Sequence, residues 1–166
     1  MERGLSLVGF GALLLAALVL VPLSATLMPT TVASHFAIDG VANGFMTRSA
    51  YLLLMTALIV VMPLVMVATV GWRAQHGALK LKLPNRDHWL APERRADTVA
   101  YLRVHMTRFG SLLILFIGGV HGLVVRANLL HPPRLEGVPM LVLVVLFLGA
   151  TLLWLRALHG RFRHIH

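Results

Sequence analysis

The chain has no cysteine. That excludes disulfides, thiolate nucleophiles and Cys-based zinc sites. Acidic side chains are also scarce, six Asp and Glu against 15 Lys and Arg. Charge itself is missing over long stretches. No Asp, Glu, Lys, Arg or His occurs from Gly4 to Ser34, from Ser49 to Trp72, from Phe109 to Val120, or from Gly137 to Leu155. Enzyme signatures are missing too: there is no HExxH, no GxSxG, no Walker loop and no pair of membrane aspartates. No catalytic residue and no cofactor is therefore assigned.

A helix needs about 20 mostly apolar residues to cross a bilayer core. The first, second and fourth uncharged runs reach or approach that length. The third reaches it over 107–127, with Arg108 and Arg126 snorkelling at its ends. A barrel would alternate apolar and polar residues, whereas Val60–Val70 and Leu141–Leu148 are apolar on every face. Hydrophobic residues make up 58% of the 166. This leaves room for one membrane domain and no separate soluble catalytic domain. The expected fold is an all-α membrane protein, a four-transmembrane-helix bundle with spans at 5–28, 49–72, 107–127 and 138–158. The loops at 29–48 and 128–137 lie on one side and 73–106 on the other. The first apolar run is too long for a secretory signal, so an uncleaved anchor is expected.

A net charge of +9 invites a nucleic-acid reading. The basic residues flank apolar spans and form no soluble face, which excludes it. Arg48, Arg126 and Arg134 fall on one side of the topology, and the other 12 Lys and Arg on the opposite side. The basic side is cytoplasmic by the positive-inside rule, which places both termini there. The central loop is expected either to contact anionic headgroups or to be a cytoplasmic docking surface.

Pro22 and Pro63 interrupt the first two spans, where they favour kinks. In the central loop, Leu79–Leu83 alternates apolar and basic residues, and 84–87 reads as a turn. Pro92 and Glu93 suit a helix start. Ala96, Val99, Leu102, Met106 and Phe109 then recur at helical spacing, opposite Arg94, Asp97, Tyr101, His105 and Arg108. This pattern predicts an interfacial amphipathic helix that bends into the third span. Gly118 and Gly122 there form a small-xxx-small pattern, so that face is expected to meet a neighbouring helix, or a second copy in a homo-oligomer.

The 29–48 segment is the most unusual. His35 and Asp39 are four apart and would share a face if the segment were helical. Asp39 and Asn43 are oxygen donors, while Gly40 and Gly44 supply turns. The plainer reading is a turn-rich hairpin in which Asp39 and Asn43 bond to their own backbone. His121 is an ionisable residue inside a span, and so a functional candidate that could approach His35, Asp39, His131 and Glu136. No metal site is assigned. The uncharged middles of spans one, two and four argue against a proton-coupled carrier.

Two segments resemble a known family. One is the outer loop, with Pro29, His35, Phe36, Asp39, Gly40 and a closing Arg48. The other runs Leu83, Pro84, Asn85, Arg86, Asp87, His88, Trp89, Leu90, Ala91, Pro92, Glu93, Arg94, Arg95. Both are similar to a bacterial membrane domain of unknown function, shared with the N-terminal part of SdpI-like toxin-immunity proteins. A tyrosine often stands there in the place of His88. The resemblance implies an inner-membrane protein with a role in toxin immunity or envelope signalling. It implies no catalytic residues. SdpI-like proteins continue into further spans that this chain lacks. Three readings follow: a non-enzymatic sensor binding an envelope peptide or protein through 29–48, a small oligomeric carrier or channel, and a metal-dependent membrane enzyme.

Overall fold

The computed structural model describes residues 2–75 and 84–163. Four helices are long and apolar enough to cross a membrane, at Ser6–Leu27, Arg48–Val70, Pro92–Asn128 and Gly137–Arg163. The first helix, α1 (Glu2–Ser24), carries Pro22 inside it and tightens into a 3-10 turn at Ala25–Leu27. Two strands follow, β1 (Thr31–Phe36) and β2 (Ala42–Thr47). They pair antiparallel, so the chain is not all-α as its composition suggested.

The next helix begins at Arg48, where Thr47 caps it by accepting a hydrogen bond from Ala50 N–H. It runs unbroken through α2 (Arg48–Thr56), a π turn at Ala57–Val61 and α3 (Met62–Gln75). The π turn has a physical cause. Pro63 offers no N–H, and its ring would collide with the Ile59 carbonyl in a regular helix. Widening the preceding turn accommodates the ring, which is fully buried. A short α4 (Arg86–Trp89) precedes α5 (Pro92–Asn128), and α6 (Gly137–Arg163) ends the described chain.

The expected interfacial helix and the third span form one continuous helix of 37 residues. At 1.5 Å per residue it is about 55 Å long. Its first turns use only part of the expected apolar stripe. Thr98, Leu102 and His105 are buried while Ala96 is exposed. The cause is α6, whose Trp154, Ala157 and Phe162 draw Tyr101 and His105 inward.

Every other long helix packs on α5. On one side α1 and the α2–α3 helix close a core of Phe10, Val21, Ile59, Ile114 and Ile117. On the other, α6 is held by an aromatic ladder: His105 stacks on Trp154 at 4.6 Å, Phe109 meets Trp154 at 4.6 Å, and Phe116 stacks on Phe147 at 4.2 Å. Trp154 Nε1–H donates to the His105 carbonyl at 2.9 Å, and His105 Nε2–H returns a bond to the Trp154 carbonyl at 3.1 Å.

The Trp89 end of the molecule is closed in the same economical way. The last carbonyls of a helix have no partner within it. Asn85, in a left-handed conformation, donates to Phe162 and Arg163 carbonyls, and Trp89 Nε1–H donates to Phe162. Arg161 lies over the Trp89 ring at 5.0 Å. The Leu79–Leu83 stretch and the last three residues lie outside the described residues.

The close helix approaches are not at Gly118 and Gly122. A Cβ at either would meet nothing within 4 Å. They occur at Gly110, where a Cβ would lie 2.8 Å from Phe10 Cε2, and at Gly119, 3.0 Å from Leu143. Gly110→Val is expected to destabilise the fold by about 1–3 kcal/mol through overpacking. Gly122→Val should leave it unchanged. Thermal unfolding in detergent, by circular dichroism, checks both.

Candidate functional site

The hairpin sits across the end of the helices. Its inner face is apolar: Val32, Phe36 and Met46 pack on Met28, Tyr51, Val124 and Val125. Its outer face carries Thr31, His35, Asn43, Phe45 and Thr47, all exposed. Alternation is clean along β2 and broken along β1. Ala33 pairs with Phe45 and His35 with Gly44, so Ser34 is an extra residue in β1. Phe36 then pairs with Ala42, which leaves Asn43 extra in β2. Gly44 is required by this register, because a Cβ there would lie 2.9 Å from His35 Cβ.

The turn is built by Asp39. Its Oδ1 accepts the Val41 N–H at 3.0 Å, while Gly40 N–H bonds the Ala37 carbonyl at 2.9 Å. Gly40 has φ +84, open to glycine at no steric cost, and a Cβ there would strike the Leu135 carbonyl. His35 and Asp39 are thus on a strand and in a turn, not on one helix face.

Polar side chains from the helix ends hold the hairpin. Asn128, 3% exposed, accepts the Ala33 N–H at 2.8 Å and donates to the Ala33 carbonyl at 3.0 Å and to Val124 at 2.9 Å. One amide therefore pairs with β1 as a neighbouring strand would. Arg48 donates to the carbonyls of Ala25 and Met28, satisfying the end of α1. The two connecting segments are joined to each other. Leu135 N–H bonds the Gly40 carbonyl at 2.9 Å, and Arg134 donates to the Asp39 carbonyl at 3.2 Å. Arg126 and Glu136 form an exposed ion pair at 3.0 Å.

Beneath the hairpin, His121 joins three helices and is 6% exposed. Its Nε2 lies 2.8 Å from Ser24 Oγ and its Nδ1 3.0 Å from Tyr51 Oη. Ser24 directs its own hydrogen to the Val21 carbonyl at 2.6 Å. Oγ must then accept from His121, so Nε2 bears the ring proton. Nδ1 is left as acceptor, and Tyr51 donates to it. The chain of donors runs from Tyr51 through His121 and Ser24 to Val21. It satisfies every polar atom among apolar neighbours, which is its structural role.

The expected cluster of His35, Asp39, His121, His131 and Glu136 does not assemble. His35 and His131 are exposed, and His121 is spent on Tyr51 and Ser24. Among the described residues no group of three His, Asp or Glu could hold a metal ion. Of the 84–95 motif, Asn85 and Trp89 are used to close α6, and Pro92 starts α5. Asp87, Glu93 and Arg94 are exposed, while Pro84 and Arg95 are half-buried. The residues that sequence reasoning missed are Ser24, Tyr51, Asn128 and Arg134. Ser24, Tyr51 and Asn128 are polar residues within or beside apolar runs and Arg134 lies in the loop before the fourth span, a signal that shows a need for a partner but not which one.

Tyr51→Phe leaves Nδ1 of His121 buried without a donor. It is expected to destabilise the protein by about 1–3 kcal/mol in chemical unfolding. In bilayers, nitrogen NMR of His121 should show a protonated Nε2 and a bare Nδ1 in wild type. The opposite tautomer would contradict the donor order. Comparison with known proteins finds no match: no family model, no curated protein and no solved structure is similar to this chain.

Proposed function

We propose that this is a non-enzymatic, multi-pass protein of a bacterial inner membrane, whose hairpin recognises a peptide or protein in the envelope. The charge asymmetry supports the orientation, with the hairpin outside and the Trp89 end in the cytoplasm. The observation that carries the recognition role is the contrast between the two faces of the hairpin. Its inner face is clamped by Asn128, Arg134 and the apolar ends of the helices. Its tip and outer face hold Ile38, Val41 and Phe45 exposed. Such residues on a rigid element, beside His35 and Asn43, suit a binding surface with low ordering cost.

The continuous α5 gives this surface a mechanical link to the other end. Asn128 grips the hairpin, and the first turns of the same helix carry the basic, exposed Arg94 and Arg103. A partner that shifts the hairpin would move a rod whose far end meets cytoplasmic components. The resemblance to the membrane part of SdpI-like immunity proteins supports immunity or envelope signalling as the setting. The carrier reading would use His121 in transit, and that side chain is already committed on both nitrogens.

Photocrosslinking amino acids placed at Ile38 and Phe45 in living cells test this directly. Mass spectrometry is expected to find one specific envelope peptide or protein, lost when Phe45→Asp is introduced alongside the Ile38 probe. Adducts with lipid alone, or with a second copy alone, would contradict it.

A further inference from the structure

A groove of about 870 Å³ runs along the outside of the α1–α5 contact. Its α1 wall is Ser6, Gly9, Ala12, Leu13 and Ala16, and its α5 wall brings Arg108 and Ser111. The wall residues recur every three or four positions, so they share one helix face. Three of the five are Gly or Ala, and a Cβ at Gly9 would meet nothing within 4 Å. The packing that closes α1 on α5 lies beside the groove, where Phe10 fills the space left by Gly110.

The groove is polar at one end only. Arg108 brings a planar guanidinium to that end, a geometry that suits phosphate. Ser6 Oγ is buried and has no hydrogen-bond partner among the described residues. Ser111 spends its hydrogen on the Thr107 carbonyl at 3.1 Å and is left as an acceptor. From Ser6 to Ala16 the α1 wall rises about 15 Å. That is half of the roughly 30 Å hydrocarbon core, the depth of a single leaflet. A cation at headgroup level, above an apolar channel one leaflet deep, matches one kind of molecule in both charge and length.

We propose that this groove is a binding site for an anionic phospholipid of the cytoplasmic leaflet, with its phosphate on Arg108 and one acyl chain along Gly9, Ala12 and Ala16. The site rests on the membrane reading above. It would hold α1 against α5 from the open side, where protein packing is thin.

Native mass spectrometry of the full chain tests it, using detergent micelles with equal phosphatidylglycerol and phosphatidylethanolamine. Wild type is expected to retain one phosphatidylglycerol in preference. Arg108→Gln should lower that retention about tenfold by removing the charge-assisted bonds. Gly9→Leu should lower it similarly by filling the channel with the charge intact, while its unfolding temperature in lipid-free detergent stays at the wild-type value. Glycerol phosphate, which has the headgroup and no chain, should not displace the lipid. Equal retention by wild type and both variants would overturn the proposal. So would displacement by glycerol phosphate, or a dimer in wild type that Gly9→Leu abolishes. Carbonate-washed membranes separate the two levels. Wild type released by the wash removes the membrane reading and this site together. Wild type kept in the membrane with no lipid preference removes the site alone.

Discussion

The hairpin end of this molecule depends on one side chain. Asn128 stands at the last turn of α5, buried, and meets both backbone groups of Ala33. An edge strand lying over apolar helix ends has an N–H and a carbonyl that neither its partner strand nor water reaches. Leaving such groups unpaired costs about 1–3 kcal/mol each. A carboxylate or a methyl could not answer both, and a hydroxyl has a single atom where the amide sets a carbonyl oxygen and an NH2 side by side. Fixing Ala33 fixes the register of β1, and with it which residues face outward.

The same constraint recurs at each end of the bundle. Arg48 satisfies the carbonyls beyond α1, and Asn85 with Trp89 satisfies those that end α6. In the interior, Tyr51, His121 and Ser24 satisfy one another. The apolar faces that remain open lie along the helices, notably Val138, Leu141, Val142, Val145, Leu146 and Leu153 of α6. Those faces suit lipid, while Tyr51, His121 and Ser24 pair their polar atoms where lipid could offer nothing. This division links the fold to the proposed role: the helices are long and apolar enough to cross a membrane, and the capped hairpin end is the part proposed to meet a partner.

The helices were legible in the sequence because a charge in hydrocarbon is expensive, so its absence marks them. Their lengths were less so. Nothing in the periodicity of 92–109 shows that it continues unbroken into the next apolar run, since an amphipathic turn and a buried one differ only in what packs against them. The tight approach at Gly110 was hidden for the same reason: Gly118 and Gly122 have the spacing, but Phe10 lies opposite Gly110. The hairpin was harder. The bulge at Ser34 breaks the alternation of β1, and in β2 the inward positions include Gly44 and the outward ones Phe45, so hydropathy does not announce either strand. Only the turn at Asp39 and Gly40 carried a local signature. The partners of His121 lie 97 and 70 residues away in the chain, and no spacing rule reaches that far.

Amide hydrogen exchange of the intact protein in bilayer discs tests the central claim, that the hairpin is a rigid surface set on the helix ends. The Ala33, Ala37 and Gly40 amides bond Asn128, Val41 and Ala37 respectively. Their exchange should be as slow as that of the α5 interior, and Asn128→Ala should release Ala33 first. Rapid exchange at these amides in the wild-type protein would contradict the account. The hairpin would then be a mobile loop, with no fixed face to present.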